Sequence, residues 1–362
     1  MKTPADEPFH DALCRPGTGR PSGLPDALLS GLVDARDCPP SELGRLIRHQ
    51  DPGMRHLGLV LLTERAAACR PSDDGELAEI AGLLPASPPG PPEADLLLAG
   101  LYERLGHRLR DRPWPSWRAA GLPARVRIAW LRAEIRHDPT AIRDETPGEP
   151  LYQAVRETDI TGAHRPARLV DELADSGDPV LQAEALRLAR QGLHAGLLAP
   201  TPVRESLTRL LGAESAQVVA GALDELAEPW AVTEPLPPGR LAPFLAADAV
   251  GERPAVADAA LAAAARHGHK DLLRQVVEDL GLPPGLRRRG MELLGGPADR
   301  EDIGELTVVA ARDPLLFGGP MVSCLRGLHR RGHFAEDPHV PAVIGLALSD
   351  HSIPPRDVAT VL

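Results

Sequence analysis

The residues best suited to chemistry in this sequence are the arginines and tryptophans between Arg104 and His137. This stretch carries nine arginines against two acids, so its net charge is +7 in a chain whose net charge is −11. It also holds three of the four tryptophans, Trp114, Trp117 and Trp130. Guanidinium groups beside exposed aromatic faces bind carboxylates, phosphates and stacked bases. The composition therefore indicates a surface for an anionic partner.

Six of these residues form the candidate contact surface, for an acidic protein segment before nucleic acid. They are Arg104, Arg108, Arg112, Trp114, Trp117 and Arg118. The alternative is structural. In that case the tryptophans fill a turn between helices, and the arginines form a solvated face that balances the acidic remainder of the chain.

Other reactive groups lack the partners that catalysis or metal binding needs. His329 and His333 have the i, i+4 spacing of one helix face, but arginines and a glycine lie between them instead of the glutamate of a zinc-protease helix. The cysteines show no Cys-x-x-Cys spacing, and the sequence contains no Gly-x-Ser-x-Gly element and no phosphate loop. We therefore expect no catalytic residue, no metal site and no cofactor.

The elements that must position the candidate surface are short helices that open at recurring intervals. A proline or small residue precedes an apolar residue by seven positions, as in Pro52 to Leu59 and Pro179 to Leu186. An amphipathic run precedes most openers, so each unit is expected to be a helix, a tight turn and a second helix. Such a unit buries its apolar face only by stacking on its neighbours. The openers are Pro52, Pro92, Pro123, Pro179, Ser215, Pro254, Pro284 and Pro314.

This pattern resembles the HEAT-repeat family, whose second helix commonly opens with Asp-Pro, followed by a basic residue, a small residue and a leucine. Residues Asp51–Leu59 (DPGMRHLGL) match well, and Asp178–Leu186 (DPVLQAEAL) match except that Gln182 replaces the basic residue. The resemblance covers about residues 40–362. It implies an all-α fold, namely a right-handed superhelical α-solenoid of stacked antiparallel helix pairs, and a scaffold that binds other macromolecules.

The spacing of the helix-opening residues divides the chain into four segments. Residues 1–24 are expected to be a flexible N-terminal arm, 25–137 N-terminal repeats, 138–165 an irregular insertion or degenerate repeat, and 166–362 C-terminal repeats. In the last segment, the sequence Gly318-Gly319-Pro320 is expected to kink or delay the helix that Pro314 opens. After a helix predicted over Pro338–Ser349, a further helix is expected to open at Pro354-Pro355 and run to Leu362, with an apolar face and no polar capping helix. We therefore expect a second copy of the chain in a homo-oligomer, a partner subunit or a continuation of the chain to cover this end, the alternative being that Arg356 and Asp357 solvate a short final helix.

Composition indicates a cytoplasmic protein of a GC-rich, bacterial genome. Nearly all basic residues are arginine, and asparagine is absent, so the chain has no N-glycosylation sequon. Four irregularly spaced cysteines do not form a disulfide framework. The first residues lack the pattern of a signal peptide, and the longest apolar runs are too short to span a membrane.

These features favour a non-enzymatic scaffold for protein–protein interaction, as one component of a multi-protein bacterial system. The alternative is a HEAT-like nucleic-acid-binding or DNA-repair protein of the glycosylase type, and a third option is a helical-repeat lyase or chaperone. The net charge of −11 and a pI near 5.6 disfavour nucleic acid, since phosphate neutralisation supplies much of the affinity for it. Protein partners, including ones with an acidic segment, are therefore expected.

Overall fold

The computed structural model describes residues 38–70, 73–86, 90–108, 114–118 and 121–333, together with 341, 342 and 345. These residues form 18 α-helices joined by turns and short 3-10 helices, and they contain no strand. The all-α prediction is therefore confirmed for the described part of the chain. None of these helices is both long enough and apolar enough to cross a lipid bilayer.

The chain divides into two compact units, with the boundary between Ser176 and Gly177. The helices of the first unit are α1 (Pro40–Ile47), α2 (Pro52–Ala68), α3 (Asp74–Leu83), α4 (Pro92–Leu105), α5 (Ala124–His137), α6 (Glu149–Arg156) and α7 (Pro166–Ala174). Those of the second unit are α8 (Pro179–His194), α9 (Pro200–Leu210), α10 (Ala216–Leu226), α11 (Pro229–Val232), α12 (Pro238–Leu241), α13 (Ala247–Glu252), α14 (Pro254–Arg266), α15 (Lys270–Glu278), α16 (Pro284–Leu294), α17 (Asp302–Arg312) and α18 (Pro314–Arg330).

Prolines and aspartates start the helices where the sequence predicts them. The Asp51 carboxylate accepts hydrogen bonds from the backbone N–H groups of Gly53 and Met54, at 2.8 and 3.1 Å. Asp178 caps α8 in the same way. A proline at the first helical position loses nothing, because its missing N–H would have no partner inside the helix. The helix openers therefore set the helix boundaries directly.

Helices α15 and α16 pack antiparallel, whereas α16 and α18 run parallel. Arg287 of α16 donates to the carbonyl of Val277 in α15, ten residues earlier, across the turn that joins the two helices. The guanidinium of Arg287 also lies 5.3 Å from the ring centroid of Phe317, near the start of α18. The ends of α16 and α18 meet where Gly295 approaches Gly327. Two contacts at opposite ends fix this parallel alignment.

Aliphatic side chains fill the interior of both units, as the low aromatic content predicts. In the second unit, α10 packs against α8, α9 and α14, and α16 packs against α14, α15 and α18. The contact faces consist mainly of leucine, valine and alanine, all buried. Small side chains allow short helices to approach closely and to bury apolar surface in each neighbour.

Charged and polar cross-links join helices that lie about 30 residues apart in sequence. Arg190 of α8 pairs with the buried Glu225 of α10, and Arg274 of α15 pairs with the buried Asp302 of α17. Arg204 of α9 pairs with Glu234 in the turn after α11. A buried carboxylate requires such a partner because an unpaired charge is costly to remove from water. These links therefore fix the register between successive repeats.

Four sequence predictions concern the two chain ends, segment 138–165 and the helix that Pro314 opens. The expected arm over 1–24 and most of the predicted C-terminal end over 338–362 lie outside the described residues. Segment 138–165, the expected insertion, contains α6 and two short 3-10 helices. The helix opened by Pro314 is not delayed: α18 is continuous to Arg330 with Pro320 inside it. Gly318 and Pro320 are buried against neighbouring helices, and this packing offsets the hydrogen bond that proline cannot make.

A glycine pair controls the contact between α16 and α18. A Cβ atom at Gly327 would lie 2.6 Å from the backbone oxygen of Gly295. We predict that Gly327→Ala lowers the free energy of unfolding by about 1–3 kcal/mol, because the backbone of one helix must move away. Urea denaturation followed by circular dichroism measures this loss. Gly285→Ala is the control, since nothing lies within 4 Å of its Cβ, and an equal effect of both substitutions would contradict the prediction.

A second prediction concerns pH and His267, at the end of α14. The Leu236 N–H donates to Nδ1 of His267 at 3.4 Å, and Nε2 of the neighbouring His269 donates to the Leu236 carbonyl. Burial lowers the pKa of His267 below its ordinary 6.5, and repulsion by His269 and Arg204 adds to this shift. The unfolded chain therefore binds a proton more readily than the folded chain does. The stability contribution is present above pH 6.5 and is lost as the pH falls through the lower folded value.

The expected result is a thermal midpoint that falls more steeply between pH 7 and pH 5 in the native protein than in His267→Gln. Glutamine keeps an acceptor for the Leu236 N–H but does not titrate. Differential scanning fluorimetry across this range measures both slopes, and parallel slopes would rule out His267 as a source of the acid sensitivity.

Candidate functional site

The structure describes five of the six predicted surface residues and places them in different environments. Arg104 donates to the carbonyl of Cys69 at 3.5 Å, and Arg108 pairs with Asp74 at 2.7 Å, so both tie the end of α4 and its following turn to the region before α3. Arg112 lies outside the described residues. The two helix-end arginines therefore already bind the protein's own chain.

The tryptophans belong to the packed interior of the first unit. Trp114 is half-buried, and its ring centroid lies 5.2 Å from that of Tyr102 and 5.6 Å from that of His137. Trp117 is only 1% exposed, and Trp130 is fully buried. These rings supply contact area between α4, α5 and the segment that joins them. The faces of Trp117 and Trp130 are therefore not available as a binding surface in this conformation.

Arg118 connects that segment to two buried acids. Its guanidinium lies over the Trp117 ring at 4.7 Å, and it contacts Glu134 at 2.6 Å and Glu145 at 2.8 Å. Burial raises the pKa of the Glu134 carboxyl, and Arg118 opposes this shift. The same carboxylate of Glu145 also pairs with Arg127 at 2.8 Å. Arg118 and Arg127 thus hold the 114–118 segment and α5 on the turn that carries Glu145.

The acids that neutralise this arginine-rich stretch come mostly from outside it. Glu103 immediately precedes the stretch and pairs with Arg132 and Arg136, while Glu157 at the end of α6 also pairs with Arg132. Six of the seven arginines that the structure describes there donate to the protein itself. A role in partner contact for the six sequence-predicted residues stays a prediction.

Arg125 is the exception, and it lies at a groove that sequence reasoning missed. It is exposed on the first turn of α5 and makes no hydrogen bond or ion pair with the described part of the chain. The groove runs between α4, α5 and α6 and has a volume of about 650 Å³. It is lined by Leu96, Ala124, Arg125, Ile128, Ala129, Arg132, Gln153 and Glu157. The signal in the sequence was weak, because only the i, i+3, i+4, i+7 spacing on α5 marks one face.

The groove combines an apolar floor with fixed polar ends. Leu96, Ile128 and Ala129 are half-buried and provide the floor. At the far end, Glu157 accepts from Arg132 at 2.8 Å and from the Gln153 side-chain amide at 2.9 Å. Arg125 at the near end keeps an uncompensated positive charge. Such a mixture suits an amphipathic ligand with an acidic group.

Other candidate groups show structural roles within the described residues. Arg287 is occupied by the Val277 carbonyl and the Phe317 ring. Burial raises the pKa of the Cys324 thiol to about 12, so this cysteine is a poor nucleophile. No group of three or more metal-binding side chains converges in the part of the chain that the structure describes. The groove is therefore the best-formed candidate site.

The Arg118 contacts generate a stability prediction. Arg118→Ala leaves Glu134 and Glu145 without a shared cation, and we expect the free energy of unfolding to fall by about 2–4 kcal/mol, less than for a fully enclosed pair because Arg118 is partly exposed. Arg125→Ala is the matched control and should leave stability within about 0.5 kcal/mol of the native value. Equal chemical-denaturation midpoints for the two variants would contradict the structural role of Arg118.

Comparison of the chain with models of protein families, with curated proteins and with solved structures finds no match. The resemblance to HEAT repeats therefore depends on the Asp-Pro helix openers and on the parallel contacts between second helices. Function has to be argued from the groove and the charges around it.

Proposed function

We propose that this protein is a non-enzymatic scaffold that binds other proteins, built from HEAT-like repeats that stack as a right-handed superhelix within each unit. Support for the repeat comes from equivalent contacts at nearly equal sequence separations. Leu186 approaches Gly221 in the pair α8 and α10, and His137 bonds the Tyr102 carbonyl in the pair α4 and α5. Both separations are 35 residues. Repeats of this kind present extended surfaces to partners.

The observation that carries the proposal is the unpaired Arg125 beside the apolar floor of the groove. Six of the seven described arginines between Arg104 and His137 donate to groups of the protein itself. The guanidinium of Arg125 is therefore left for a ligand. An acidic protein segment satisfies it, and the floor of Leu96, Ile128 and Ala129 accepts an aliphatic side chain. We place the protein in the bacterial cytoplasm as one component of a multi-protein assembly, consistent with its composition.

Nucleic acid is a weaker candidate on the same observation. Affinity for a phosphate backbone comes from several free cations that track it, and each contact adds to the salt dependence. The arginines of the basic stretch are mostly committed to Asp74, Glu103, Glu145 and Glu157. Within the described part of the 104–137 stretch, Arg125 is the one arginine without an intramolecular partner, and the chain has a net charge of −11, so a protein ligand is favoured over nucleic acid.

Affinity purification from the native cell tests this function. We predict that Arg125→Glu removes the proteins that co-purify through the groove, because it replaces attraction for an acidic segment by repulsion. Arg165→Glu is the matched control: it makes the same change in charge at an exposed position of the first unit, outside the groove. Partner recovery is measured by quantitative mass spectrometry at two salt concentrations, since attraction to an exposed arginine weakens with salt.

Recovery of the same proteins with Arg125→Glu and with Arg165→Glu would show that the groove does not bind them. Tight, salt-sensitive binding of DNA or RNA by the purified protein, with no protein partner recovered, would replace the scaffold by the nucleic-acid alternative.

A further inference from the structure

The length of the groove restricts its ligand. Arg125 and Arg132 both line it and are seven residues apart on α5, which corresponds to about 10 Å along the helix axis. An extended chain rises about 3.3 Å per residue, so about three residues span this distance. A short extended peptide segment therefore matches the groove in length.

The chemistry along the groove restricts the sequence of that peptide. The cation of Arg125 lies one helical turn before Ile128, so the charged end and the apolar floor are separated by about 5 Å along α5. In an extended chain, side chains two positions apart point to the same side and are about 6.7 Å apart. Adjacent side chains point to opposite sides. An acidic residue and an aliphatic residue reach Arg125 and the floor together only when one residue separates them.

The polar end of the groove complements a peptide backbone. The Glu157 carboxylate is fixed by Arg132 and by the Gln153 amide, so its position is set before a ligand arrives. Its remaining lone pairs can accept a backbone N–H of an extended segment. A preorganised acceptor reduces the entropy lost on binding. The far end therefore adds affinity for the main chain without selecting a side chain.

We propose that the groove between α4, α5 and α6 binds an extended protein segment in which an aspartate or glutamate and a leucine, isoleucine or valine are separated by one residue. The inference rests on the proposed function and specifies the partner's sequence class. The carboxylate pairs with Arg125, the aliphatic side chain covers Ile128 and Ala129, and Glu157 accepts from the backbone.

Fluorescence anisotropy with two labelled peptides of equal composition tests the spacing. One probe is Ser-Gly-Glu-Ser-Leu-Gly-Ser, and the other is Ser-Gly-Glu-Leu-Ser-Gly-Ser. With the full-length protein, the first should bind about tenfold more tightly, since the second loses one of its two anchors, a difference of about one decade in Kd. Equal affinities, or binding of neither probe, would overturn the inference.

A charge exchange tests the position of the peptide. Arg125→Glu should weaken the first probe about tenfold or more and should gain affinity for Ser-Gly-Lys-Ser-Leu-Gly-Ser, whereas Arg165→Glu should change neither. Ala129→Trp fills the floor and should abolish binding of both charge forms. Exchange of charge preference cannot result from partial unfolding, and retention of the original preference by Arg125→Glu would place the peptide elsewhere.

Failure of the scaffold function would be seen in a different measurement. If the spacing makes no difference but Arg125→Glu still removes co-purifying proteins, the sequence class is wrong and the scaffold proposal stands. If both probes bind as expected but no protein co-purifies from the native cell, the groove is a peptide site and the scaffold proposal is wrong.

Discussion

Pairing of buried carboxylates with arginines from neighbouring helices is the interaction on which this structure depends. Short helices with aliphatic faces pack in many registers at similar energy, because leucine and alanine contacts are not directional. A buried acid that pairs with a cation is held beside that cation, because separating them leaves a buried charge unpaired. The buried acids paired in this way lie in both units and are Glu134, Glu145, Glu172, Glu225 and Asp302. Each is held by at least one arginine from another element, so the charges select one register from many.

Because of these ion pairs, the arginine-rich stretch between Arg104 and His137 has a different role in the fold from the one its composition indicates. From the sequence it resembles a binding surface, because nine cations lie close together. In the fold, five of the seven described arginines are joined to acids on neighbouring helices and turns. Among the described arginines of this stretch, Arg125 alone has no intramolecular partner, and it lies on the exposed side of α5. A single free cation beside apolar side chains discriminates between ligands better than a broad basic patch, which attracts any anion.

The all-helical class and many helix starts were predictable from the sequence, whereas the candidate site was not. Helix starts depend on local chemistry, so Pro52, Pro179 and Pro284 predicted the first residues of α2, α8 and α16. The short helices α11 and α13 were missed because their four and six residues carry too little periodicity to detect. Ion pairs join residues 25 to 35 positions apart, such as Arg132 with Glu157, and no local pattern reveals which acid meets which arginine. For the same reason, no local sequence pattern predicted that Trp117 is buried.

The groove is found next to a short helix that does not cover its neighbour. In a regular pair such as α16 and α18, glycines bring the backbones together, and the space between the helices is closed. Helix α6 has only eight residues, and it follows α5 after a short 3-10 helix instead of a full first helix. It therefore covers only part of the α5 face, and Ile128 and Ala129 stay half-buried. A repeat that is too short to cover its neighbour leaves apolar surface that a segment of another protein can bury.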